Sequence, residues 1–235
     1  MVRSEIDVME FQRWMGVRRF RDQDHAMHCL LVECFGDLAP KPFRLMLPRG
    51  GSTGVLYGYG MSTASVLNET AAICADPLQR RILPADLMDS KAMPTRWQVG
   101  KRVGFEARIR PIVRRSRRNG NRPSGECDAF LWEAEQQPKG EMKRGREEVY
   151  TEWLAKQFDR IGGASLEIAS TSLVSFQRSR AVRSHGARYS EGPDALMRGI
   201  LTITDPAGFS ALLARGIGRH RAYGYGMLLL SPART

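Results

Sequence analysis

Residues 212–230 read LLAR-GIGRHRAYGYG-MLLL, from Leu212 through the glycine loop Gly216–Gly226 to Leu230. The stretch sets out a helix, a glycine loop and a strand, in that order. The apolar turn Leu212-Leu213-Ala214-Arg215 meets Gly216, where a positive φ stops a helix without a Cβ penalty. Tyr223, Tyr225 and Met227 then alternate into an apolar run and announce a strand from Tyr223 to Leu230. Gly216, Gly218, Gly224 and Gly226 leave the loop little side-chain cover, so another backbone can come close. Arg219 and Arg221 stand among them, and amides with guanidiniums favour an anion. A phosphate chain is the natural guest. A dinucleotide fingerprint is excluded: it needs its glycines after a strand and before a helix, and Arg221 occupies the third glycine position. Taken alone, the loop chemistry serves a tight connection and an anion site equally well.

The 235 residues suffice for one large domain or two small ones, and an apolar share of 42% makes the chain globular. A formal charge of +11 points to a polyanionic partner, with a membrane surface as the competitor. No apolar run approaches the roughly 20 residues of a membrane span, and no signal-peptide pattern opens the chain. The expected location is cytoplasmic. Cys29, Cys34, Cys74 and Cys127 form no C-x-x-C pair and read as buried free thiols. The four histidines show no ligand spacing either, so neither a metal nor a cofactor is expected.

Taken in order, residues 6–18 read as a first strand, with Arg18, Arg19 and Arg21 near a loop. Asp22 or Asp24 caps a helix whose apolar face is Met27, Leu30, Leu31 and Cys34, ended by Gly36. Strands follow at Phe43–Leu47 and Val55–Tyr59, with a turn at Arg49-Gly50-Gly51-Ser52. Ser62–Ala75 is helix-like, and Pro77, Pro84 and Pro94 mark a loop-rich passage. This is most of a ferredoxin-like unit. From about Thr95 the pattern restarts. A long strand spans Gly100–Arg114, with Val103, Phe105, Ala107 and Ile109 inward. Arg146–Ile161 is a helix carrying Val149, Tyr150, Trp153, Leu154 and Phe158. Strands at Leu166–Phe176 and Leu196–Ile203, a proline-initiated helix at Pro206–Ala214 and the last strand complete a second half. Trp14, Trp97, Trp132 and Trp153 read as packing residues, not as a base-stacking platform.

The terminal GIGRHRAYGYGMLLLSP resembles the signature of the CRISPR RNA-processing endoribonucleases of the RAMP superfamily, within which the CasE type ends in this way. HCLLVECFG (His28–Gly36) with KPFRLMLP, GKRVGFEARIRPIVRR (Gly100–Arg115) and RGILTITDPAGFSALLARGIG (from Arg198) are similar to further family segments, in the family's order. The resemblance implies an α+β fold of two tandem ferredoxin-like (RRM-like) domains with the glycine-rich loop at the end. The N-terminal domain would span 1–94 and carry the catalytic helix, the C-terminal one 95–235. It also implies cleavage of CRISPR precursor RNA within each repeat, without metal, leaving a 2′,3′-cyclic phosphate and a 5′-hydroxyl. The mature guide RNA would stay bound, in a complex with other Cas subunits and without a membrane. The alternative is a non-catalytic RNA-binding subunit of the same fold.

His28 by itself could be a packed histidine beside the core face of its helix, or a proton-transfer group poised near neutral pH. The resemblance selects the second, because the family's catalytic histidine lies seven residues before the phenylalanine matching Phe35. His25 takes the place of a tyrosine found in several relatives, and serves either proton transfer and positioning or an exposed polar surface. Arg19, Arg21, Arg219 and Arg221 are candidate stabilisers of the phosphorane charge. The acid-free run Arg108, Arg110, Arg114, Arg115, Arg117, Arg118 and Arg122 is expected at a strand tip that enters an RNA stem. Gly216, Gly218, Gly224 and Gly226 would let the RNA backbone approach. Arg178, Arg180, Arg183, Arg188 and His185 form a second basic cluster, solvated or RNA-binding. The acid-rich span Glu126–Glu152 is expected to face away from RNA.

Overall fold

The computed structural model describes residues 1–48, 50–115, 125–138, 141–181 and 190–233. The chain opens with β1 (Val2–Asp7), α1 (Val8–Val17) and α2 (Gln23–Phe35). It continues through β2 (Phe43–Met46), β3 (Thr53–Gly58), α3 (Ala64–Cys74), α4 (Pro77–Ile82) and β4 (Asp89–Ser90). A second series begins with β5 (Arg102–Ile109), the pair β6 (Ile112–Arg115) and β7 (Gly125–Asp128), α5 (Ala129–Ala134) and α6 (Arg146–Ile161). It ends with β8 (Ala164–Leu166), β9 (Ser172–Ala181), β10 (Ser190–Ile203), α7 (Pro206–Arg215) and β11 (Leu228–Pro232).

Both sheets are antiparallel, and they share one order. The first runs β2-β3-β1-β4 and the second β11-β5-β10-β8, so each, numbered within its own unit, reads 4-1-3-2 or its reverse. With helices between strands one and two and between three and four, each is a ferredoxin-like unit. The second is elaborated: β9 pairs with β10, and β6–β7 stands apart as its own two-stranded sheet.

Side-chain periodicity explains most of this. In β5, Val103, Phe105, Ala107 and Ile109 are buried, while Arg102, Glu106 and Arg108 take the other face. They pack against Tyr150, Leu154 and Phe158 of α6 and Phe209 and Leu212 of α7 in the second core. Ile6, Met27, Leu30, Leu31, Phe35, Phe43 and Leu56 build the first. Each such side chain contributes about 1.5–3 kcal/mol by leaving water.

Five local expectations change. The strand expected over 6–18 is β1 followed by α1. The Asp7 carboxylate accepts from the Glu10 amide at 2.9 Å, and Val8, Phe11 and Trp14 fall three apart on one buried face. In the proline-marked passage, Asp76 and Gln79 form a capping box that starts α4 at Pro77. The long strand from Gly100 breaks at Arg110-Pro111, because proline cannot donate to a ladder. Leu166–Phe176 divides between β8 and β9 around a 3-10 turn at Ile168–Ser170. The last strand begins at Leu228, five residues late, because Arg221–Tyr223 closes a 3-10 turn. Of the thiols, Cys34 is buried, Cys29 and Cys127 are half-buried and Cys74 is exposed, on the outer face of the last turn of α3.

One buried guanidinium joins the units. Arg108 on β5 donates from Nη1 to Asp24 Oδ1 on α2 at 2.7 Å, and from Nε and Nη2 to both carboxylate oxygens of Asp194 on β10 at 2.8 and 2.7 Å. Its Nη2 also reaches the Tyr225 hydroxyl at 3.2 Å, and its guanidinium carbon stands 4.3 Å from that ring's centre. Burial works against the ionised Asp194, yet the hydrogen bonds and charge of Arg108 hold its carboxyl below the usual carboxylate range. Removing Arg108 alone strands two carboxylates. Arg108→Met is expected to cost on the order of 3–5 kcal/mol in urea unfolding, and adding Asp24→Asn and Asp194→Asn should restore part of the loss. An Arg108→Met protein as stable as wild type would show that the network carries no stability.

Candidate nucleic-acid interface and catalytic corner

The glycine loop is shaped by its own two arms. Gly216 ends α7 at φ +71°, the Ile217 amide donates to Gly226 O at 2.8 Å, and the Gly226 amide donates to Arg108 O at 2.7 Å. A Cβ on Gly226 would stand 2.1 Å from Ile217 O, and one on Gly216 2.8 Å from Gly226 O. Gly218 packs over Trp153, and Gly224 fits between Asp24, Phe43 and Arg108. At Gly216 and Gly226 the backbone that comes close is the protein's own, while Gly218 and Gly224 lie against side chains. The loop is seated on both units, and side chains between the glycines are what it presents.

Those side chains meet α2. The ring of Tyr223, in the 3-10 turn, lies 5.0 Å from the ring of His28, 6.0 Å from that of His25 and 6.3 Å from that of His220. One tyrosine thus stands among three imidazoles, two from the first helix after the Asp22 cap and one from the loop. His28 is half-buried. Burial first, then the charges of His25 and Lys41, hold its imidazole below the usual histidine value. It lines a cavity of about 170 Å³ with Lys41, Asp37 and Ala222. Lys41 and Ala222 also line an adjoining cleft of about 570 Å³, with Arg215, Arg219, His220, Arg221 and Tyr223. Lys41 is held there by its backbone, whose amide donates to Tyr59 O at 2.8 Å.

The loop cations are already engaged. Arg219 Nε donates to Glu126 Oε1 at 2.8 Å, while His220 Nε2 lies 2.9 Å from Glu126 Oε2. The His220 side chain is 2% exposed, and its backbone takes the left-handed φ of +62°. Glu126 thus faces the candidate site rather than away from it, because β7 brings it beside the loop. Arg221 Nη1 donates to Arg215 O at 2.7 Å and so caps the last turn of α7. Burial and the charges of Arg215 and Arg160 hold its guanidinium below its ordinary value.

The arginine run of the second unit separates into parts. Arg108 is the inter-unit anchor, and Arg110 is 2% exposed with Nη1 bonded to Ser179 Oγ at 2.8 Å. Neither offers its guanidinium freely to a passing phosphate, because Arg108 is held by Asp24 and Asp194 and Arg110 is buried against Ser179. Arg114 is exposed on β6, and Arg19 and Arg21 are exposed between α1 and α2. The Arg115 side chain, Arg117, Arg118, Arg122, Arg183, His185, Arg188 and the Arg180 side chain lie outside the described residues, as does Arg49. Trp14 and Trp153 are buried and Trp97 and Trp132 half-buried, as packing residues.

Two residues the sequence reading passed over complete the corner. Tyr223 reads as a strand residue because it alternates with Tyr225 and Met227, and Lys41 is one cation in a proline-flanked turn. Their signals were the basic and aromatic residues of KPFR and RAYGYG, whose convergence needs the fold. Together, a half-buried imidazole held neutral, a second imidazole and a cationic cleft can move protons beside a bound phosphodiester. Among the described residues no group of three His, Cys, Asp or Glu side chains could hold a metal ion, and no helix is long and apolar enough to cross a membrane.

The fold has solved counterparts. A CRISPR endoribonuclease Cse3 bound to a 19-nucleotide RNA superposes with a TM-score of 0.64 at 16% identity, over 98% of this chain and 99% of that one. The CRISPR-associated protein Cas6e from Escherichia coli K-12 gives 0.57 at 18% identity, over 99% and 100%. A chain of a CRISPR RNA-guided surveillance complex gives 0.56 at 18% identity, over 99% and 100%. No curated protein matches the sequence. The model of one family, described as CRISPR associated protein, matches residues 1–232, and the chain belongs to that family.

Proposed function

We propose that the chain is an endoribonuclease that cuts CRISPR precursor RNA within the repeat, keeps the mature guide RNA and joins other Cas subunits. The observation that carries the reading is the convergence of His28 and His25 on the ring of Tyr223, which lines a cleft with Lys41, Arg219 and Arg221. The family and the fold of RNA-bound counterparts support it. In this reading residues 1–94 supply the catalytic helix and residues 95–235 the anion-binding loop.

The chemistry follows from the charges. His28, kept neutral by its surroundings, takes the proton of the 2′-hydroxyl. The 2′-oxygen then forms a bond to phosphorus while the bond from phosphorus to the 5′-oxygen breaks. His25, across Tyr223, returns a proton to the leaving 5′-oxygen. The products are a 2′,3′-cyclic phosphate and a 5′-hydroxyl, with no metal required. Arg219 offers charge where the phosphorane gains it, since Glu126 takes Nε and no acceptor among the described residues takes its Nη groups. Arg221 and Lys41 add to the field.

His28→Ala should slow single-turnover cleavage of a repeat RNA by about two to four decades, while affinity for a 2′-deoxy repeat moves little. Wild-type protein that binds the repeat yet leaves it uncut would make the chain an RNA-binding subunit instead.

The depressed His28 value has a testable sign. Positive charge nearby disfavours the imidazolium, so removing Lys41 should raise the His28 pKa toward that of an ordinary histidine. NMR titration of the His28 ring in free Lys41→Ala protein would show this, and the acidic limb of the rate profile should move to higher pH with it. A His28 midpoint unmoved by the substitution would place Lys41 too far away to act.

A further inference from the structure

Among the described residues, several exposed arginines are neutralised where they stand. Arg102 pairs with Glu167 at 2.7 Å, Arg198 with Glu106 at 2.8 Å and Arg18 with Glu33 at 2.7 Å. Arg144 takes both Glu133 and Glu152. The end of α7 is different. Arg215 closes that helix and is exposed, and Arg221 folds back so that Nη1 meets its main-chain oxygen at 2.7 Å. Lys41 lines the same cleft of about 570 Å³. Arg160, exposed in the last turn of α6, adds its charge to that felt by Arg221. Among the described residues none of these four cations has an ion-pair partner.

Two helix C-termini offset part of the repulsion, each worth about 0.3–1 kcal/mol at an exposed site. They do not remove it: burial first, then the charges of Arg215 and Arg160, hold Arg221 below its ordinary value. Such a cluster is held in place by Gly216 and by the cap Arg221 forms, at a standing electrostatic cost that a bound anion would offset. The neighbouring corner fixes which anion. His28 lines the adjoining cavity, which shares Lys41 and Ala222 with the cleft, so whatever polyanion fills the cleft continues the chain whose 2′-hydroxyl His28 deprotonates. Alignment of the 2′-oxygen with the leaving 5′-oxygen also needs a strand freed from regular A-form stacking, which favours an unpaired segment here.

We propose that Lys41, Arg160, Arg215 and Arg221 form a track for the phosphodiesters of the single strand that flanks the repeat hairpin. The protein then grips the RNA beyond the cut as well as at it. This rests on the endoribonuclease reading and adds to it a second contact region, with a polyanionic single strand as its ligand.

The test is the salt dependence of binding, with two uncleavable RNAs carrying a 2′-deoxy scissile nucleotide: a repeat hairpin with its single-stranded flank, and the same hairpin trimmed of it. For the flanked RNA, Arg160→Ala/Arg215→Ala should lower the log–log slope by about 1.4, at about 0.7 per single-strand phosphate lost. The trimmed hairpin should show the wild-type slope, and Arg160→Lys/Arg215→Lys should restore most of the loss. Arg13→Ala, which removes an exposed arginine paired with Glu10, serves as the control for net charge and should leave both slopes alone. An unchanged slope on the flanked RNA overturns the track and assigns the cluster to another partner, such as an acidic protein surface. Equal losses on both RNAs also overturn it, since the cluster would then hold the stem. Wild-type protein that binds neither RNA refutes the endoribonuclease reading itself, a result separate from either of these.

Discussion

Arg108 is the constraint on which the arrangement turns. Its fork is divided between Asp24, at the start of the candidate catalytic helix, and Asp194, on the central strand of the second sheet, and Tyr225 of the glycine loop closes its remaining side. One side chain therefore sets the distance between α2, the second sheet and the loop. Neither ferredoxin-like unit could place His28 against Tyr223 alone, because the two rings belong to opposite units. A guanidinium suits this role better than an ammonium. Its donors are fixed in a plane, so satisfying two carboxylates at once also fixes an angle.

The loop is held by a second device of the same kind. Gly216 and Gly226 let its two arms approach to a separation that no other residue permits, and the left-handed backbone of His220 directs its ring into the protein. Glu126 then binds Arg219 and His220 together. The result is a loop with a rigid base and a cationic outer edge. Preorganisation of that sort would serve the proposed cleavage, since charge already in place need not be reordered as a phosphorane forms.

The electrostatics divide the surface into two regimes. Among the described residues of the second unit, Arg102, Arg144, Arg198 and Arg219 pair with glutamates and their charges cancel. From Lys41 to Arg221 they do not, and the imbalance coincides with the depressed imidazole of His28. In the proposed reading, His28 with its lowered pKa serves as the base beside these cations, which receive the anion. The same like-charge repulsion that disfavours the imidazolium raises the attraction for phosphate.

Periodicity and punctuation in the sequence were enough for the helices α2, α6 and α7, the inward face of β5 and the α+β class. Apolar residues at helical or strand spacing must be buried together whatever surrounds them. The residue pattern, with the family resemblance, also singled out His28, His25, Arg219 and Arg221 as candidates for the proposed site. The first strand was misread because Ile6 with Val8, and Met9 with Phe11, fit an alternation until the Asp7 cap is seen to start a helix. The roles of the remaining residues lie in contacts between distant segments. Arg108 and Arg110 look like members of an exposed basic run until α2, β9 and β10 are seen to supply their partners. Glu126 looks like part of an acidic face until β7 sets it beside the loop. Tyr223 and Lys41 are 182 positions apart in the sequence and neighbours in one cleft. Local spacing carries no record of such meetings, because they depend on how two separately folded sheets are docked, and that was decided by one buried arginine and its carboxylates.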